Sequence, residues 1–170
     1  MSEVGKSSDE VREWDDLARA ASDRADLPES VDEIHQLLSF ELAGTPYAIP
    51  VDRVREIVRM RPITPVPRTP EDVRGVISLR GEMIELIDVS RRLGLGSSEL
   101  SRRTRIIMTK TSDDQVVGLL VDAVREVLRV TDEEIQPATG SDTGAVNDLC
   151  TFQDEFVSLI ELDRLLALDV

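Results

Sequence analysis

The chain has 170 residues, 41% of them hydrophobic, and a formal net charge of −14, which gives enough apolar material for one ordinary domain or two very small ones. That charge repels DNA, RNA and anionic lipid, so proteins or small molecules are the expected partners and nucleic acid is not. No apolar run approaches a membrane span, Met1–Gly5 lacks a leader pattern, and the lone Cys150 has no internal partner; the expectation is a cytoplasmic protein with no direct membrane insertion.

Residues 1–35 carry eleven acids against Lys6, Arg12, Arg19 and Arg24, so half of the net charge sits there. Ser7 and Glu10 have capping-box spacing, and Val11, Trp14, Ala18, Ala21 and Ala25 recur on one helical face. The pattern predicts an amphipathic helix over 8–25, ended by Leu27-Pro28 and followed by an acidic linker. Trp14 is the only tryptophan; it either folds back on the domain or docks on a partner.

From Gln36 the chain reads as short strands between turn residues, the spacing of small barrels or sandwiches. Leu38, Phe40 and Leu42 alternate, then Ala43-Gly44-Thr45-Pro46 turns into Tyr47–Val51, predicting a hairpin. The connection from Arg61 to Pro70, with Pro62, Pro65, Pro67 and Pro70, cannot be helix and is at best an edge strand. Strands resume over Gly75–Leu79 and Met83–Asp88, joined at Arg80-Gly81, before a short helix through Leu93 that Gly94 can cap.

The chain then repeats itself. Val51–Met60 aligns without gaps on Val121–Val130 at an offset of 70, with six of ten positions identical. Glu82–Leu93 aligns on Glu155–Leu166 at an offset of 73, with five of twelve identical. Each first block follows a predicted hairpin, over 37–51 and over 105–121. Two units of this size are marginal alone and gain by sharing a core. The expected fold is mostly β: two β-barrels side by side, roughly 36–100 and 101–170, forming one domain over 36–170. A groove between duplicated units is a natural docking place.

Catalytic chemistry finds little support. His35 lies at the linker edge, Cys150 sits in a strand-like run and reads as a small buried residue, and no nucleophile motif surrounds either. Asp52 and Glu56 recur as Asp122 and Glu126, but Arg55 and Arg125 beside them favour ion pairs over a metal. Gly94–Ser98 follows a helix and lacks the lysine of a phosphate loop, so it reads as a cap and linker. Arg91-Arg92 with Arg102, Arg103 and Arg105 could make a small anion-attracting patch, with solvated linker as the simpler reading. Arg53, Arg55, Arg59 and Arg61, interleaved with Val54, Ile57, Val58 and Met60, suit either an interface or a strand with one wet face. No enzyme, metal or cofactor is expected.

Several motifs carry a resemblance: Tyr47–Val51 followed by Val54-Arg55-Glu56-Ile57, Ile63–Pro67, Gly75–Gly81, Ile87-Asp88 with Arg92-Leu93-Gly94, Val117–Asp122, and Val127-Leu128 leading to Ile135-Gln136-Pro137. In this order they resemble the CheW family, the coupling proteins of chemotaxis arrays, from about Gln36 to Leu168. The resemblance implies two intertwined, SH3-like, five-stranded barrels. It implies a non-catalytic adaptor for signal transduction in a two-component system, bridging the cytoplasmic tips of chemoreceptors (methyl-accepting chemotaxis proteins) and a CheA-type histidine kinase at receptor arrays on the inner face of the membrane. Receptor contact carries over to Val54, Glu56, Gly75 and Arg80, and kinase contact to the first barrel without residue assignments. Ser78 stands where the family usually has Asn, and Glu85 where it usually has Pro. The alternative from another class is a small-ligand-binding regulator using the groove between the barrels.

Overall fold

A computed structural model describes residues 33–139 and 144–167. The predicted helix over 8–25, with Trp14, lies outside the described residues. The strands are β1 (Ile34–Leu42), β2 (Thr45–Pro50), β3 (Val54–Arg59), β4 (Val73–Leu79), β5 (Glu82–Asp88), β6 (Arg105–Lys110), β7 (Val116–Val121), β8 (Ala123–Thr131), β9 (Ile135–Pro137), β10 (Val146–Phe152) and β11 (Glu155–Ile160). Two short helices, α1 (Val89–Arg92) and α2 (Leu162–Ala167), follow β5 and β11. No helix among the described residues is long and apolar enough to cross a membrane.

The strands form two sheets, ordered β8-β1-β2-β11-β10-β9 and β3-β6-β7-β5-β4. The offsets seen in the sequence make β3 equivalent to β8, β4–β5 to β10–β11, and β6–β7 to β1–β2. Under those equivalences the two orders are the same. Each barrel therefore takes its central hairpin from one repeat and its remaining strands from the other. The exchange is stitched by two parallel pairings, Leu86 with Gly118 and Leu159 with Ala48. We call the two units the β1 barrel and the β3 barrel.

Register repeats as closely as order does. In β4–β5, Val73, Gly75, Val76 and Leu79 oppose Ile87, Leu86, Glu85 and Glu82. In β10–β11, Val146, Asp148, Leu149 and Phe152 oppose Ile160, Leu159, Ser158 and Glu155, each 73 residues later and with the same shift after the first pair. Both hairpins close through two residues of positive φ, Arg80 (51°) and Gly81 (82°) against Gln153 (49°) and Asp154 (62°), the backbone of a type I′ turn. A bulge recurs as well. Val54 opposes Thr109 and Glu56 opposes Met108, while Val124 opposes Phe40 and Val127 opposes Leu38, so one extra residue falls at each Arg-Glu pair. In the second copy Ser39 Oγ fills the gap, donating to the Glu126 carbonyl at 2.7 Å and accepting from its N–H at 3.1 Å.

Burial follows from the exchange. Ile77, Leu79, Ile84, Leu86, Ile106, Met108 and Leu120 fill the β3 barrel; Leu37, Ala48, Leu128, Val130, Cys150 and Val157 fill the β1 barrel. A third, larger cluster includes Leu38, Phe40, Ile49, Ile87, Ile107, Leu119 and Leu165, drawn from both sheets and α2. The exchanged hairpins thus have one face inside a barrel and the other in the shared core, and 37–40, 106–109 and 118–121 are buried without alternation.

The proline-punctuated connection makes one isolated bridge, Thr64 to Val76. Its counterpart is β9, where Gln136 opposes Leu149, the residue equivalent to Val76. Pro62, Pro65 and Pro67 have no N–H to donate, which reduces this strand to a single pair in one barrel. Gly75 lies directly beneath it. A Cβ on Gly75 would stand 2.3 Å from the Thr64 carbonyl oxygen, and its φ is +137°, so close backbone approach and backbone conformation both require glycine.

Candidate functional site

Glu56 and Arg80 come together although they lie 24 residues apart in sequence. Glu56 follows the bulge within β3, where it opposes Met108, and the type I′ turn projects Arg80 from the end of β4. Arg80 Nη1 donates to Glu56 Oε2 at 2.7 Å, with the Arg80 side chain 72% exposed and that of Glu56 24%. Leu79, Ile84, Met108 and Val116 line a small concavity with this pair, so the ion pair lies over one open end of the β3 barrel. An ion pair so exposed contributes at most about 1 kcal/mol to folding. The guanidinium has no structural duty that would prevent it from turning to an outside carboxylate.

Val54 and Gly75 do not join that surface. Val54 is half-buried and packs against the shared core. Gly75 is buried beneath Thr64. Val54 opens β3 and Gly75 lies in β4, the strands that lead to the pair.

The other candidates resolve as follows. Glu56 pairs with Arg80 and not with its neighbour Arg55, and Arg125 pairs with Glu155 at 3.2 Å and Glu41 at 3.9 Å. Asp122 accepts from the Ala43 N–H at 2.8 Å and anchors the β1–β2 turn. The recurrence in sequence is therefore not a recurring contact: Glu56 reaches Arg80, while Asp122 serves a backbone turn. His35 is not a solvated linker residue: it is within β1, its Nε2 bonded to Asp132 Oδ1. Glu33, His35 and Asp132 place one ligand atom each within 4.8 Å of one another, the group among the described residues best able to hold a cation. Cys150 is buried and free, and desolvation, then the charge of Glu134, pushes its thiol up.

Four of the five arginines at 91–105 turn to contacts within the chain, and Arg102 is exposed. Arg92, with a side chain 1% exposed, bonds Asp72 at 2.6 Å and donates to the Leu165 carbonyl of α2. Arg91 donates to the Glu71 carbonyl, Arg103 to Glu41, and Arg105 to the carbonyls of Arg102 and Thr104. Gly94, with φ +75°, ends α1 through its N–H to the Arg91 carbonyl.

Sequence reading missed the role of Asp88. Fully buried, it accepts from Arg74 Nε (3.1 Å), the Ser98 N–H (3.2 Å), Ser98 Oγ (3.0 Å) and the Arg91 N–H (3.3 Å). An Asp between a strand and a helix is an N-cap signal, but its distant partners are not visible in local pattern.

Of the four arginines on and beside β3, Arg53 donates to Asp163 at 2.8 Å and to the Lys110 carbonyl. The hydrogen bond from Arg53 holds the Asp163 carboxyl below the usual carboxylate range. Arg55, Arg59 and Arg61 are exposed.

Comparison with known proteins agrees with this arrangement. The family model of the CheW-like domain matches residues 36–170. The chain is 36% identical over 132 residues to the chemotaxis protein CheW of Rhizobium meliloti (strain 1021), covering 75% of this chain and 84% of the relative. It is 30% identical over 151 residues to FrzA of Myxococcus xanthus, covering 86% and 93%. The crystal structure of the scaffolding protein TtCheW from Thermoanaerobacter tengcongensis superposes with a TM-score of 0.72 at 34% identity, covering 78% of this chain and 92% of that one. Two SH3-like barrels, the motifs along both repeats and these relatives agree: the chain belongs to the CheW family of chemotaxis coupling adaptors.

Proposed function

We propose that the protein is a non-catalytic adaptor that couples the cytoplasmic tips of chemoreceptors to a CheA-type histidine kinase, in the cytoplasm at receptor arrays. The observation that carries the receptor half of this reading is the Glu56–Arg80 pair, two charges held at a barrel mouth yet open to solvent. A receptor helix offering a carboxylate or end carbonyls would take over Arg80, with bidentate geometry that lysine reproduces poorly. Val54 and Gly75 complete the receptor-contact set, through the course they give β3 and β4. Kinase contact falls on the β3 barrel, the one built mainly from the first repeat, without residue assignments.

Co-sedimentation with receptor fragments and kinase is the test. Arg80→Ala and Glu56→Ala should each weaken receptor binding, by about 2 kcal/mol where the residue is a hot spot, with the melting temperature near wild type and kinase binding less affected. Unchanged receptor binding in both folded variants would remove the residue assignment. Failure of the wild type to bind either partner would remove the adaptor reading itself.

A further inference from the structure

Arg55, Ile57, Arg59 and Arg61 alternate along β3 and its continuation, all exposed, and at strand rise the stripe extends about 20 Å. Ile57 is 42% exposed. The chain has 34 acidic residues, yet among the described residues none pairs with Arg55, Arg59 or Arg61: Glu56 is held by Arg80 and Asp163 by Arg53. Register adds to the cost, because Arg59 lies directly opposite Arg105, and like charges facing each other across a strand pair destabilise it unless an anion lies between them.

The duplication supplies an internal comparison. The equivalent stripe on β8 reads Arg125, Val127, Arg129 and Thr131. There Arg125 is neutralised by Glu155 and Glu41, and the last arginine is a threonine. The fold therefore does not require three open guanidiniums on this strand; they fit an anionic occupant.

The chain itself contains one. Residues 9–16 hold five acids around Trp14 and a single base, Arg12. The described chain begins opposite Thr131 of β8, and Ile34 and His35 line the same concavity as Asp52 and Arg53, the residues that lead into β3. Residues 26–33 can span up to about 26 Å, and a helix over 8–25 would be about 27 Å long, comparable with the stripe. An indole among acids matches an isoleucine among arginines in both apolar and charged character, and guanidinium faces stack well on indole.

We propose that the acid-rich segment 8–25 docks in cis along the outer face of β3, with Trp14 at Ile57 and its flanking carboxylates on Arg55, Arg59 and Arg61. The proposal rests on charge, register and reach, and is independent of the receptor reading.

Trp14, as the only tryptophan, reports its own position. Acrylamide quenching of the full-length chain at low salt should be about 3-fold weaker than in urea, as for an indole half-shielded on a surface. Protection should be lost in Arg55→Glu/Arg59→Glu/Arg61→Glu, and also in the wild type at about 0.5 M salt, where the screening length falls below about 5 Å. Arg129→Glu, the equivalent change on β8, should keep it. Circular dichroism melts verify that the variants fold, and the salt arm needs no variant. Quenching equal in wild type and triple variant, equal loss in Arg129→Glu, or protection that grows with protein concentration and so reports a second copy, would each overturn the proposal.

Discussion

Arg80 and Asp88 show how differently two charged residues can serve one fold. Arg80 is exposed and bonded to a single carboxylate, so its loss should be read in binding and not in stability. Because Arg80 and Glu56 act on each other, their effects on receptor affinity should fall short of additive in Arg80→Ala/Glu56→Ala, a non-additivity of about 1 kcal/mol measurable in a double-mutant cycle. Asp88 is the opposite case, buried under four hydrogen bonds. Asp88→Ala leaves a guanidinium and two backbone N–H groups without their acceptor and should cost about 3 kcal/mol, seen as a lower urea midpoint. The exposed pair was legible as a candidate because its residues lie in recognisable motifs. The buried node was not, since nothing in the local sequence joins Asp88 to Arg74 or Ser98.

At the scale of elements, Gly75 tests whether close backbone approach sets the shape of the strands that lead to Glu56 and Arg80. Gly75→Ala should destabilise by about 2–4 kcal/mol, through positive φ and collision with Thr64, and should weaken receptor binding only as β4 shifts. Hydrogen exchange at Thr64 and Val76 checks it, since their mutual amide bonds of 2.8 and 2.9 Å would open first. Turns, hairpins and the proline connection were readable because glycine, proline and alternation act locally. Strand partnership was not. The unbroken apolar runs of Ile106–Met108 and Gly118–Val121 signal burial on both faces, but a run does not say which barrel claims which face.

At the scale of the molecule, the shared core predicts one cooperative unfolding transition, with coincident curves by circular dichroism and by proton resonances of Leu37 in one barrel and Ile77 in the other. Deleting residues 1–30 should move the melting temperature by no more than about 3 °C, because a docked acidic segment contributes surface ion pairs and one indole contact. A drop several times larger would place Trp14 in the core. If the receptor surface and the β3 stripe are both as proposed, the same truncation should strengthen receptor binding, since Glu56 sits on the strand that the segment covers.

The exchanged hairpins also impose an order on biosynthesis. A chain emerging N-terminus first can close the β3 barrel once β7 ends at Val121, but β1 and β2, made earliest, lack their partners until β8 and then β11, ending at Ile160, have left the ribosome. Leu37, Leu38, Phe40 and Ile49 must wait for more than half of the domain to be made, so the oldest strands are the last to be sheltered and the interval before termination is when the nascent chain is most exposed to aggregation.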